Sequence, residues 1–295
     1  MSGALRILIS GQHGQVSQAL QKSLPDRGEL IVLGRDALDL SQPESIREVV
    51  QGLKPDVIIN AAAHTAVDQA ESEPALAFAI NATAPGVFAQ EAARLGVPFI
   101  HYSTDYVFDG GKTSPWVESD PTHPLSVYGS SKLAGEQAIT AAGGQYLILR
   151  TSWVYSLTGR NFLLTMQRLL QEREKLSIVS DQIGAPTWAG TIADSTRTLI
   201  DRWREGNAGA WGIYHLTASG QASWFDFAQA IGDQLVSAGK PCASLEGILT
   251  SAYPTPATRP LNSRLDCSRL QREWGVSQPD WHDAMLECLA QQQVL

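Results

Sequence analysis

Basic side chains are in short supply in this sequence. Against 30 Asp and Glu stand 22 Lys and Arg, a net charge of -8. No Lys/Arg run builds the basic face that a nucleic-acid binder carries. The balance leaves room for an anionic ligand, held by local donors such as helix N-termini and a few arginines. Cysteine is sparse too. Cys242, Cys267 and Cys288 are odd in number, far apart and without C-x-x-C spacing, so neither a zinc knuckle nor a redox motif is written here. The expectation is three reduced thiols in a cytoplasmic protein. No apolar run reaches the ~18–20 residues of a membrane span. Met1 to Ser10 lacks the apolar core and small-residue cleavage site of a secretory leader.

What is present is globular composition: 295 residues, 43% hydrophobic and 18% charged, with ample material for a core. Short apolar runs alternate with helical patterns over the first half. Strands are expected at Leu5–Ser10, Leu30–Leu33, Asp56–Asn60, Pro98–Ser103 and Tyr146–Arg150. Helices are expected at Gly14–Leu24, at Pro43–Leu53 with Ser41 as N-cap, over Glu71–Leu95 with a break or kink near Pro85, and at Ser130–Ala142. This rhythm predicts an α/β fold, a Rossmann-type doubly wound parallel sheet. Residues 1–150 read as a dinucleotide-binding domain that recruits segments around 189–217. Residues 151–295 read mainly as a smaller C-terminal substrate-binding lobe. It has helices at Asn161–Glu172, Gly190–Arg204, Trp224–Ala238 and Trp281–Gln292, and a strand at Trp211–Leu216. Leu249–Pro260 holds three prolines and cannot be a helix interior. Ligands of such folds sit at the carboxyl ends of the strands.

The first strand runs into Gly11-Gln12-His13-Gly14-Gln15-Val16-Ser17. Gly11 permits a tight turn, and Gly14 lets the backbone approach a pyrophosphate at a helix N-terminus. The spacing is G-x-x-G, with Ser17 where a third glycine often sits, so the motif alone is weak. A plain turn is its other reading. Its place at the head of the α/β alternation is what favours a cofactor. The second strand ends in Leu33-Gly34-Arg35-Asp36. Arg35 suits a 2′-phosphate and favours NADPH; otherwise it is a solvated surface arginine. Asp39 and Leu40 are placed to flank an adenine.

The next strand ends bring polar groups to the same edge. Asn60-Ala61-Ala62-Ala63-His64-Thr65 follows the third strand, and its small residues suit close approach to a cofactor or a tightly packed turn. His64 is a candidate acid or base, or a hydrogen-bonded loop histidine. The fourth strand closes on Tyr102-Ser103-Thr104-Asp105. Thr104 offers a hydroxyl to a carbonyl, and Asp105 can accept from a sugar hydroxyl. Tyr128 and Lys132 stand four residues apart, on one helix face. A nearby ammonium lowers a phenol's pKa, and the phenol can then pass a proton to oxygen while hydride moves at carbon. A bare Y-x-x-x-K is often only a surface pair. Its company makes this one a catalytic candidate.

The chain resembles the extended short-chain dehydrogenase/reductases, and within them the dTDP-4-dehydrorhamnose reductase family. The resemblance spans almost the whole chain. It rests on the runs Asn60 to Asp68, Ser103 to Phe108, Tyr128 to Glu136, Arg150 to Tyr155, Asp181 to Thr187 and Arg259 to Leu265. It implies reduction of the C4 keto group of dTDP-4-dehydro-β-L-rhamnose by NADPH, or also by NADH. By this resemblance Tyr128 gives the proton, Lys132 lowers its pKa and holds the nicotinamide ribose, and Thr104 polarises the carbonyl. Asp105 and Trp153 meet the sugar. Gly14, Gln15, Val16, Ala63, His64, Thr65 and Tyr102 match cofactor contacts. Arg259 is implied to meet the diphosphate. The plain alternatives are core packing for Trp153 and a loop salt bridge for Arg259.

The sequence departs from the family at one point. Some members are metal-bridged dimers, and the matching acidic positions here are Gln18 and Gly190. Neither is a carboxylate ligand for Mg²⁺, so a monomer or a dimer without metal is equally expected. Two rivals remain. A non-catalytic relative would shed catalytic side chains, and this chain keeps Thr104, Tyr128 and Lys132. A 4,6-dehydratase carries a glutamate after its Thr-Asp pair, where this chain has Tyr106. An epimerase would hold its cofactor tightly through the cycle.

Overall fold

The apolar runs of the first half line up as neighbouring parallel strands. The computed structural model describes residues 4–292. The first three residues of the N-terminal segment and the last three of the expected C-terminal lobe lie outside the described residues. In chain order the first half contains β1 (Leu5–Ser10), α1 (Gln15–Ser23), β2 (Gly28–Leu33), α2 (Pro43–Leu53), β3 (Val57–Asn60), α3 (Val67–Ala70), α4 (Pro74–Phe78), α5 (Ala84–Leu95), β4 (Phe99–Thr104), α6 (Val127–Ala142) and β5 (Tyr146–Thr151). The second half contains β6 (Val154–Tyr155), α7 (Phe162–Glu172), β7 (Lys175–Val179), β8 (Ile183–Gly184), β9 (Thr187–Trp188), α8 (Ala189–Arg204), β10 (Gly212–His215), β11 (Ala222–Ser223), α9 (Trp224–Ser237), β12 (Ser244–Ile248), α10 (Ser268–Trp274) and α11 (Trp281–Gln292).

The main sheet has the order β10-β5-β4-β3-β1-β2, and its pairings are all parallel. Strand residues alternate between two covered faces. Leu8, Ile58, Phe99 and Ile148 pack with Ile46, Phe88 and Ile139 of α2, α5 and α6. Ile7, Ile9, Ile59, Ile100, Tyr102 and Leu149 pack with Leu20, Ile192, Leu270 and Trp274 of α1, α8 and α10. A one-residue slip would exchange the two sets, so the double burial fixes the register. β1 lies between β2 and β3, which puts the reversal of strand order, and hence the ligand crevice, at its carboxyl end.

Three local expectations need correction. Ser41 does not cap α2. The N-cap is Gln42 with Pro43 following, and the Ser41 hydroxyl donates to Asp39 Oδ1 at 2.8 Å. The helical stretch starts at Pro74 rather than Glu71. The break expected near Pro85 is a π turn at Ala79–Thr83, just before it; a proline has no N–H to give to the preceding turn. Finally, α6 begins at Val127 rather than Ser130. Ser126 caps it by accepting from Gly129 N–H at 3.2 Å, so Tyr128 sits on the helix.

The second half builds its own core from Tyr155, Leu163, Trp188, Phe227, Ile231 and Met285, under α7, α9 and α11. Asn161 caps α7, and Ser223 with Asp226 forms a capping box on α9. α8, β10 and α10 return to the main sheet. The small pairs β6–β9, β8–β11 and β7–β12 have no counterpart in the sequence reading. The proline-rich stretch is irregular apart from a 3-10 turn at Thr250–Ala252. Cys242, Cys267 and Cys288 are free. Among the described residues no helix is long and apolar enough to cross a membrane.

Candidate active site

The glycine turn is shaped for close approach. Gly11 has φ +89°, a region that disfavours side chains, and a Cβ there would lie 2.9 Å from that of Ala62. A Cβ on Gly14 would come to 3.3 Å from Gly11 O. Gly14 is the N-cap of α1, and no side chain caps that helix. The first-turn N–H groups and the helix dipole therefore favour an anion there. These observations fit a dinucleotide pyrophosphate. Ser17, at the third glycine position, is fully buried. Gln15 ties the turn to the second half, accepting from Ser156 Oγ at 3.0 Å and Asn161 Nδ2 at 2.8 Å. Val16 packs against the core.

The rim of this groove is mixed. Arg35 is exposed just past β2. Asp39 accepts from the Ser41 N–H and hydroxyl, which with Arg35 hold its carboxyl below the usual range. Leu40 is buried in the core. Ala63 is half-buried and Thr65 exposed. Asn81, on the π turn, clasps the His64 backbone, accepting from its N–H at 2.8 Å and donating to its carbonyl at 3.1 Å. The His64 ring lies 3.7 Å from Glu73. Tyr102 turns its ring into the core, with its hydroxyl 2.7 Å from Thr196 Oγ1.

At the end of β4, Thr104 caps a 3-10 turn over Asp105–Val107. Its hydroxyl accepts from Tyr106 N–H and donates to Asp105 Oδ1, both at 3.2 Å. The first turn of α6 lies directly on this turn, because a Cβ on Gly129 would sit 2.3 Å from Tyr106 O. That contact brings the half-buried Tyr128 edge-on to Tyr106, with ring centroids 5.6 Å apart. Burial pushes the Tyr128 phenol up to about 12; a hydrogen bond with Thr104 opposes this and Asp105 adds to it. Asp105 is 2% exposed, and its Oδ2 has no hydrogen-bond partner. Burial pushes its carboxyl up to about 7, against the Ser263 and Thr104 hydroxyls.

Lys132 is not among the groups that shift the Tyr128 phenol in this arrangement. Its nitrogen reaches into the sheet, donating to Tyr102 O at 2.6 Å and meeting His101 Nε2 at 3.1 Å. Burial lowers it to about 8, with Glu136 pulling the other way. One turn on, Glu136 accepts from Arg150 Nε at 2.9 Å, Arg150 Nη2 at 2.6 Å and Ser103 Oγ at 2.5 Å. All three residues are buried. Breaking such a pair costs about 3–5 kcal/mol, so it pins α6 to β4 and β5.

The second half supplies another wall. Trp153 has φ +48° and stacks on Trp224, with centroids 3.6 Å apart and planes 11° from parallel. Trp224 Nε1 donates to Gln182 Oε1 at 3.1 Å, and Phe162 packs on the same ring. Trp153 is thus neither a core residue nor free. Arg259 makes the loop salt bridge: its Nη2 donates to Asp68 Oδ2 at 2.8 Å and its Nη1 to Ala257 O at 3.1 Å. Positions 18 and 190 line one groove with Lys22 and Asp194. Gln18 donates its amide to His13 O at 2.9 Å. Gln18 and Gly190 supply no carboxylate, and Asp194, the one carboxylate among the described residues lining this groove, accepts from Ser23 Oγ at 2.7 Å, so the set does not fit a carboxylate-held Mg²⁺.

Sequence reasoning missed Asn60, Asn81, His101, Glu136, Arg150, Gln182 and Trp224. His101 and Ser103 left one signal: two polar residues at alternate positions on one face of an otherwise apolar strand.

A family model described as RmlD substrate binding domain matches residues 5–294. The chain is 49% identical to a dTDP-4-dehydrorhamnose reductase of Burkholderia thailandensis, over 97% of this chain and 98% of that one. A dTDP-4-dehydrorhamnose reductase structure from Clostridium acetobutylicum superposes with TM-score 0.90 at 35% identity, covering 98% of this chain and 100% of the other. One from Bacillus anthracis, in complex with NADP, gives TM-score 0.89 at 33% identity, covering 97% and 99%.

Proposed function

The chain belongs to the RmlD substrate binding domain family, and on that footing we propose that it is the reductase that makes dTDP-β-L-rhamnose. It reduces the C4 keto group of dTDP-4-dehydro-β-L-rhamnose, the last step towards the activated sugar of bacterial cell-surface polysaccharide. The observation that carries this reading is the Thr104–Tyr128 pair at the carboxyl end of β4, one helical turn from Lys132. Residues 1–150, with the segments around 189–217, are read as holding the dinucleotide, and 151–295 mainly the sugar nucleotide.

Bound NADPH supplies the hydride that reaches C4. Gly11, Gly14, Gln15 and Val16 would hold its pyrophosphate, and Arg35 suits its 2′-phosphate. Ala63, His64, Thr65 and the backbone of Tyr102 would line its path, beside Asp39 and the backbone of Leu40 at the adenine end. Thr104 and Tyr128 grip the C4 oxygen with two hydroxyls, and Tyr128 gives it the proton. A phenol pushed up to about 12 stays protonated at neutral pH, which is the form a reduction consumes. Lys132 then stabilises the phenolate left behind. Asp105 accepts from a sugar hydroxyl, Trp153 covers the sugar, and Arg259 turns its planar fork to the diphosphate. Tyr106 follows Asp105 where a dehydratase needs its glutamate, so proton abstraction from the sugar lacks a base.

We read the chain as a monomer or a dimer that no metal bridges, which Gln18 and Gly190 support. A cytoplasmic place is supported by the three free thiols. The test is to mix the protein, NADPH and dTDP-4-dehydro-β-L-rhamnose and follow the absorbance of the reduced cofactor. Consumption matched by dTDP-β-L-rhamnose is expected. Folded protein that consumes none sinks the reading, and NAD retained through purification would favour an epimerase.

A further inference from the structure

The loop that carries Arg259 is moored to the first half of the chain from two directions. Downstream, a Cβ on Gly110 would lie 2.6 Å from Leu261 N, so the two backbones touch. Asn262 Nδ2 donates to Lys112 O at 2.6 Å and to Ser114 O at 2.9 Å. Upstream, the mooring is Asp68 of α3. It takes the Ala257 N–H on Oδ1 at 3.1 Å and Arg259 Nη2 on Oδ2 at 2.8 Å. Arg259 Nη1 closes the ring by donating to Ala257 O at 3.1 Å.

This ring leaves Arg259 able to hold an anion. Each terminal nitrogen spends one hydrogen on it, so Nε–H and one hydrogen on each terminal nitrogen remain. A planar fork with those donors can meet two phosphate oxygens at once. The side chains of Arg259 and Asp68 are 22% and 40% exposed, so the pair lies at an opening and not in the core. Burial opposes the guanidinium charge, but Asp68, Tyr106 and Tyr253 outweigh it. Tyr106 meets Tyr128 edge-on, which puts the fork at the catalytic end. The loop salt bridge and a diphosphate contact are therefore not alternatives. The first holds the side chain in place for the second.

We infer that Asp68 is a positioning residue for the sugar nucleotide: by clasping Ala257 and Arg259 it presents the guanidinium already aimed at the diphosphate. The inference rests on the reading that Arg259 meets that diphosphate. An arginine side chain has much rotamer freedom, and an anion that binds a loose one must order it. The clasp orders it before the ligand arrives. Asp68 is itself an anion, and its charge repels a diphosphate. Water reaches its carboxylate and weakens that repulsion, whereas its hydrogen bonds to Ala257 and Arg259 are short and direct. The clasp therefore outweighs the repulsion, by the equivalent of one ordered side chain, or about 3–10-fold in affinity.

The probe is dTDP, titrated into the whole protein by calorimetry, so no turnover is needed. Asp68→Ala should weaken dTDP about 3–10-fold and leave NADPH affinity within about 2-fold of the wild type. Unchanged or tighter dTDP binding overturns the inference. An equal loss for both ligands also does, because it marks general damage. Arg259→Gln separates the inference from the reading beneath it. If it binds dTDP as the wild type does, Arg259 does not meet the diphosphate and both fall. If it weakens dTDP and Asp68→Ala does not, the inference falls alone. In the double variant the sign should change. With no guanidinium to aim, Asp68→Ala only removes a repelling charge, so dTDP should bind as in Arg259→Gln or more tightly. A further loss of the original size there would assign Asp68 to the loop in general and overturn the inference. Should Asp68→Ala not fold, Asp68→Asn replaces it. It keeps one acceptor and loses the ion pair, so its loss should be smaller in the wild-type background and absent beside Arg259→Gln; equal losses in the two backgrounds are fatal. In turnover, KM for the keto sugar should rise with the dTDP Kd while kcat holds. A protein that clasps Arg259 in this way yet reduces no keto sugar fails as the reductase, not in this role of Asp68.

Discussion

The two walls of the site are built differently. On the side of the main sheet, Thr104, Tyr128 and Lys132 stand on a strand end and one long helix, and that helix is fastened by Gly129 on Tyr106 and by the buried Glu136–Arg150 pair. On the other side, Trp153 sits in a left-handed backbone, Arg259 on a proline-rich loop and Trp224 at a helix start. Those residues are held by one another, through a ring stack, an indole hydrogen bond and a salt bridge. The difference teaches a division of labour. Chemistry needs fixed geometry and sits on the sheet, whereas recognition sits on segments that single contacts hold. Changes on the first wall should strike turnover, and changes on the second should strike binding.

Tyr128→Phe should have the largest effect. It deletes the proton donor and leaves the ring, its edge contact with Tyr106 and the helix. Turnover should fall about 10²–10⁴-fold, while NADPH binding, followed by quenching of protein fluorescence, stays near that of the wild type. A fully active variant would remove Tyr128 from the chemistry and break the comparison at its firmest point.

Asp105 lies on the seam between the walls, and its effect is on stability. Its folded carboxyl titrates at about 7 against an ordinary 3.8. Between those values the folded state keeps a proton that the unfolded chain has released. This contribution is whole below the lower value and is lost as pH rises through the upper one. Asp105→Asn keeps the shape and cannot titrate. From about pH 5 to about pH 8 the wild type should lose on the order of 2 kcal/mol relative to the variant, read from urea unfolding. A gap that does not change with pH would place Asp105 in contact with solvent or a cation.

Most of the first wall was legible in the sequence. The glycine turn, the apolar strands and the Tyr128–Lys132 spacing are local patterns, and each stays within one or two elements. The partner of Lys132 was not legible. His101 lies 31 residues away, and only the strand register brings it opposite. The same holds for Asp68 and Arg259, 191 residues apart, and for the two-residue strands β6, β8, β9 and β11, too short to show a period. Leu40 and Tyr102 were named as cofactor neighbours from their places in the chain, but their side chains lie in the core. Sequence position locates a backbone; the direction of a side chain depends on the packing around it.

Changes at the Trp153–Trp224 stack have the smallest effects, and Trp224→Ala is the sharpest probe of the second wall. Trp153 holds φ +48° without being glycine, a backbone state that costs about 1–3 kcal/mol and persists only where surroundings enforce it. The stack on Trp224 is one such constraint, and an aromatic pair of this kind contributes about 0.5–1.5 kcal/mol beyond its burial. Without it, Trp153 can leave the position in which it covers the sugar. KM for the sugar nucleotide should rise about 2–10-fold. The turnover number should hold, because Tyr128, Lys132 and Thr104 rest on the other core. Trp224→Phe should recover part of the loss, since a smaller ring still stacks. Gln182→Leu should cost less again, as it removes only the indole's hydrogen bond. If turnover falls instead while KM stays flat, the aromatic pair acts on the chemistry, and the two walls are one unit.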